Sequence, residues 1–83
     1  MSALQTLYGF ESPPAVILAA GPHETDGDGG FEYVVCFGDA NGDPLEHNSR
    51  AIWKLWDYED VQNFIRKLAA EYHLEIEDDT CRP

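Results

Sequence analysis

Between residues 57 and 73, apolar side chains return every three or four positions. Val61, Phe64, Ile65, Leu68, Ala69 and Tyr72 share one helical stripe, and Glu59, Asp60, Gln62, Asn63, Arg66, Lys67 and Glu71 take the other side. Asp57 stands where an N-cap belongs, Glu59 and Asp60 put negative charge in the first turn, and His73 lies at the far end, all favourable to the helix dipole. The spacing predicts one long amphipathic helix over about 57–73.

Upstream the period changes to two. Phe31, Tyr33, Val35 and Phe37 alternate with Glu32, Val34 and Cys36, a strand pattern rich in β-branched and aromatic residues. Asp39-Ala40-Asn41-Gly42-Asp43 holds Asn-Gly, the dipeptide suited to a type I′ hairpin turn. A return strand is expected from Pro44, broken near His47-Asn48-Ser49 and resuming as Ala51 to Trp56. Ala15 to Ala20 is an apolar run between Pro13-Pro14 and Gly21-Pro22, too short for a helix and therefore a buried strand. Residues 24–30 read as a polar, Gly-rich loop, and the first ten fit either a strand or a helical turn. Leu74 to Glu77 alternate as a closing strand would, and Asp78 to Pro83 read as a frayed acidic tail. Residues 1–83 thus form a single α+β domain: a small antiparallel sheet of three to five strands with the helix packed on one face.

Trp53 and Trp56 are three residues apart, so in a strand they point to opposite faces. If Ala51, Trp53 and Leu55 face the helix, then Arg50, Ile52, Lys54 and Trp56 take the other side, where Ile52 and Trp56 beside two cations become candidate interface residues. The competing placement turns Trp56 into the core as the strand runs into the helix.

Charge changes the picture more than composition does. The chain is 43% hydrophobic and 12% aromatic, enough for a core, although 83 residues bury only about 60% of the surface an unfolded chain exposes. Its net charge is −11, and the first 49 residues contain eight carboxylates and no Lys or Arg. Such a field repels phosphate, which disfavours direct binding to DNA, RNA or anionic lipid and points to a basic macromolecular partner. There is no basic leader, and the longest apolar run is six residues where a membrane span needs roughly 20, so a soluble, cytoplasmic protein is expected. Cys36 and Cys81, 45 positions apart, fit neither a disulfide framework nor a metal motif and read as reduced thiols.

The candidate chemistries weaken on inspection. Glu24-Thr25-Asp26-Gly27-Asp28-Gly29 begins like a calcium loop, but Val35 stands where the bidentate Glu is needed and a strand follows in place of a helix. His23, Cys36, His47, His73 and Cys81 contain no close pair of the kind that starts a zinc site. No metal or other cofactor is expected. Cys36 is the single candidate nucleophile in an ordered segment, and an apolar strand raises a thiol's pKa, so no catalytic residue and no enzyme activity are expected.

Two functional readings remain. In the first, a non-enzymatic acidic module occupies the basic nucleic-acid-binding surface of a protein or nucleic-acid-handling complex, its carboxylates standing in for phosphates as in phage or mobile-element inhibitors of the DNA-mimic type. The candidate contacts are Asp26, Asp28 and Glu32 around one loop, and Glu59, Asp60 and Glu71 on the exposed helix face. In the second, an oligomerising or accessory module binds itself or a larger subunit through an apolar sheet face bearing Ile52 and Trp56, with acidity serving solubility alone.

Overall fold

The computed structural model describes residues 3–25, 30–45 and 51–82. The elements run α1 (Ala3–Tyr8), β1 (Val16–Glu24), β2 (Phe31–Gly38), β3 (Ile52–Leu55), α2 (Tyr58–Tyr72) and β4 (Glu75–Thr80). They form a four-stranded sheet in the order β3-β2-β1-β4 with α2 packed across one face, an α+β architecture.

The helix is bounded as its sequence indicates, at 15 residues. The Asp57 carboxylate accepts from the Glu59 N–H at 2.9 Å, and His73 closes the other end in the left-handed conformation. Val61, Ile65 and Leu68 are buried against Ile17, Ala19, Tyr33, Val35 and Phe37 of the sheet. Phe64 meets Trp53 edge-on at 5.3 Å between ring centroids, and Tyr72 meets Phe37 at 6.3 Å. The ambiguous N-terminal segment is helical: α1 stops at Gly9, whose φ of +71° suits glycine, and places Tyr8 5.9 Å from Phe37 on the α2 side.

The sheet is mixed, whereas a wholly antiparallel one was expected. β2 is antiparallel to both β1 and β3, so β1 and β3 run the same way. A single crossover helix returns the chain to the end where β3 began, so β4 must run in the direction of β3 and meets β1 parallel. The strand continues through Thr80, three residues into the stretch expected to fray, because β1 is long enough to pair it as far as Gly21. β1 itself runs on past Ala20 through Gly21-Pro22, with a register shift between Ala20 and His23 that accommodates the proline. Gly21 has φ +137°, and a Cβ there would lie 2.8 Å from Tyr33 Cδ1.

The hairpin after β2 forms without a type I′ turn. Of Asn41 and Gly42, only Gly42 has positive φ. The Gly42 N–H donates to the Asp39 carbonyl at 3.0 Å, and the Asp39 carboxylate accepts from the N–H groups of Asn41 and Asp43. The expected break at residues 47–49 lies outside the described residues.

Candidate interaction surface: the open face of the sheet

Helix α2 covers only one side of the sheet. Register places Ile52, Cys36, Leu18 and Glu77 in one row across the other side, and Lys54, Val34, Ala20 and Asp79 in the next. Val16 and Glu75 pair in a third row, and Glu32 stands opposite His23 in a fourth. The centre of this face is therefore apolar. Its β4 border is a column of carboxylates at every second residue, steps of about 6.6 Å, and its β3 border carries Lys54.

The two central strands explain why the face is apolar. A sheet with one wet side alternates apolar and polar residues, whereas a strand buried on both sides reads as a continuous apolar run. Val16-Ile17-Leu18-Ala19-Ala20 and Tyr33-Val34-Val35-Cys36-Phe37 are of the second kind. Ile17, Ala19, Tyr33, Val35 and Phe37 are buried, while Val16, Leu18, Ala20, Val34 and Cys36 are partly open to solvent. The face holds a shallow groove of about 430 Å³ lined by Leu18, Ala20, Val34, Cys36 and Pro44, with His23, Glu77 and Asp79 at its border. A more polar hollow of about 420 Å³ adjoins it between the 39–42 turn and β4; Gly42 and Glu77 border both.

The carboxylate column is anchored from behind. Asp78, alternating with it, accepts from the Thr80 N–H at 2.9 Å, from the Thr80 hydroxyl and from Gln62 Nε2 at 3.0 Å, tying β4 to α2. Partial burial pushes the Asp78 carboxyl up, but the bonds from Thr80 and Gln62 together outweigh it and leave it below its ordinary value. At the same end of the molecule the Tyr33 hydroxyl, raised by burial and then by the neighbouring Cys81 and Tyr58, donates to the Cys81 carbonyl at 3.1 Å. Arg82 lies 4.7 Å over the Tyr58 ring and pairs with Glu59.

The residues singled out from sequence fall in different places. Ile52 lies on the open face, 37% exposed, and Glu32 is on the same side. Trp56, 71% exposed, sits at the bend just after β3, so its core placement does not hold: the chain turns into the Asp57 cap before the indole can reach under α2. Glu59 is engaged by Arg82. Asp60 and Glu71 are exposed, separated by eleven helical residues or about 16 Å, with Lys67 on the line between them. They do not form one acidic track. Asp26 and Asp28 lie outside the described residues. Sequence reasoning missed the column Glu75, Glu77 and Asp79 and the apolar centre Leu18, Ala20 and Val34, although the unbroken apolar runs were its signal.

Four residues of β2, about 13 Å, separate Cys36 from Glu32, the register partner of His23, so thiol and imidazole are not placed as a nucleophile and its base. No group of metal-binding side chains occurs among the described residues, and none of their helices is long and apolar enough to cross a membrane. Comparison with known proteins finds no matching family model, no matching curated protein and no matching solved structure.

Proposed function

We propose that this chain is a non-catalytic interaction module that seats a basic, apolar-faced partner protein on the open side of its sheet. The observation that carries the reading is the pairing of an apolar centre that α2 leaves uncovered, its described residues partly open to solvent, with the carboxylate column Glu75, Glu77 and Asp79. Burial of the centre supplies affinity, and the column selects a cationic partner and speeds encounter. The acidic column, which is made of none of the acids singled out from sequence although Glu32 shares its side of the sheet, supports the first reading of the sequence, and the apolar centre beside Ile52 supports the second.

The test places a photo-crosslinking residue at position 34, and in a separate variant at position 63 on exposed α2, in cells that make the protein. Adducts at 34 and not at 63, lost when Glu77→Lys and Asp79→Lys are combined, support the reading. Adducts confined to 63, none at 34, or adducts at 34 indifferent to the reversal overturn it.

The row of carboxylates also gives the nucleic-acid-mimic reading a specific form, in which the partner's basic surface is itself a nucleic-acid site and the column takes the place of phosphates. Competition between the module and nucleic acid for the captured partner separates this case from a partner whose basic surface has no such role.

A further inference from the structure

We infer that the occupant of the open face is a single basic amphipathic α-helix of a partner chain, lying along β1 with its cations against Glu77 and Asp79. The inference rests on the reading above, that this face binds a basic partner, and adds the shape of what binds.

The dimensions favour a helix. From the β4 column to β3 is three strand spacings, about 14 Å, and a helix with its side chains is about 10–12 Å across. Such a helix fills the apolar strip between the acidic border and Lys54 without overhanging either edge. Glu77 and Asp79 border the groove and stand one step of about 6.6 Å apart along β4. Cations at i and i+4 of a helix are separated by a rise of about 6.0 Å, so two Lys or Arg on one flank meet the two carboxylates. The 39–42 turn reaches over the Val16 end of the face, where a Cβ on Gly42 would lie 3.3 Å from Glu77 Oε2, so the helix seats beyond it, on the groove of Leu18, Ala20, Val34 and Cys36. The far side of the sheet already accepts a helix, α2, and a second one on the open side completes a three-layer arrangement for strands patterned to be buried twice.

The other occupants fit less well. A strand added to the outer edge of β4 needs free backbone donors there. The Cys81 N–H bonds to Gly21 of β1, so the preceding Thr80 N–H points to the free side, where Asp78 already takes it. The remaining edge is lined with charge. A second copy would bring two chains of net charge −11 together and draw both carboxylate columns into the contact.

The test uses two synthetic peptides of identical Leu, Ala and Lys composition, one with Leu at helical spacing and one with Leu alternating. Each is titrated into the ¹⁵N-labelled 83-residue chain at about 50 mM salt, where charge is least screened. The expected result is that the helical-period peptide shifts the amides of Leu18, Ala20 and Val34 and gains helicity by circular dichroism. Its binding weakens at least about tenfold in Glu77→Lys/Asp79→Lys and less than about twofold in Glu59→Lys/Glu71→Lys, with both variants checked for native dichroism. Tighter binding of the alternating peptide to the same amides overturns the helix and leaves the interaction reading standing. Concentration-dependent shifts of those amides without peptide, with a dimer's mass, overturn it in favour of a second copy. Silence of those amides with both peptides overturns this inference and the reading beneath it together.

Discussion

Val34 and Val35 are neighbours on β2, paired with Lys54 and Trp53 of the same strand, and differ in which side of the sheet they face. Changing either to Ala lowers strand propensity alike, so the difference between the variants isolates the two environments. Val35 is fully buried under α2. Removing its two methyl groups forfeits about 1.6 kcal/mol at about 0.8 per carbon, and the space left in the buried core cluster brings the cost to about 2–3 kcal/mol. Val34 is partly exposed, leaves no enclosed cavity and should cost less than about 1 kcal/mol. An 83-residue domain has about 4–12 kcal/mol in all, so the first change removes a large share and the second does not. With a urea slope of about 1 kcal/mol per molar, Val35→Ala should lower the midpoint by about 2 M or more and Val34→Ala by under about 1 M. Equal shifts would show that the outer side is as well covered as the inner, and would refute both the open face and the function built on it.

Three further outcomes follow from the same structure. Gly21→Ala should destabilise by more than about 2 kcal/mol, read as a urea midpoint, because φ is +137° and the new carbon would press on Tyr33; a neutral result would show that the bulge relaxes freely. The Asp78 carboxyl sits below its ordinary value in the folded chain, so its contribution is present above about pH 4 and is lost as pH falls through the lower folded value. The Asp78→Ala deficit in urea midpoint, small for so exposed a group, should therefore be seen at neutral pH and shrink as pH is taken below the ordinary carboxylate range, and a gap independent of pH would contradict the assignment. Raising sodium chloride from about 0.05 to about 0.5 M should raise the wild-type midpoint by screening the repulsion of a −11 chain, and a fall would mean that net attraction dominates the folded charge pattern.

The helix was fully legible, since its cap, stripe and polar face all point to one answer within 17 residues and depend on nothing distant. The strands were legible as strands for the same local reason. The direction of β4 was not, because parallel and antiparallel neighbours ask for similar side chains and the choice is made by where α2 leaves the chain. Asp78 to Thr80 look like a solvated tail until a long β1 offers them an edge. The proposed interaction surface was half legible. Ile52 could be assigned to the uncovered side from its parity with Trp53, but Leu18, Ala20 and Val34 read as core because an apolar run does not say which of its two sides will be filled.

The place of β4 beside β1 also bears on what this protein must avoid. Val16 to Ala20 is uncharged, apolar and free of proline and glycine, the kind of segment that stacks into cross-β aggregates when its edge is bare. In the native fold it has no bare edge, for β2 lies on one side and a strand with four carboxylates in six residues lies on the other. A chain cut by a protease after Leu74 keeps α2 and most of the core but loses four carboxylates and one guanidinium, which brings its charge from −11 to −8. It also uncovers β1 along its length. The acidic strand thus acts as a gatekeeper whose removal turns a self-repelling module into a template for its own copies, and the clipped form should scatter light and bind thioflavin where the full chain stays clear.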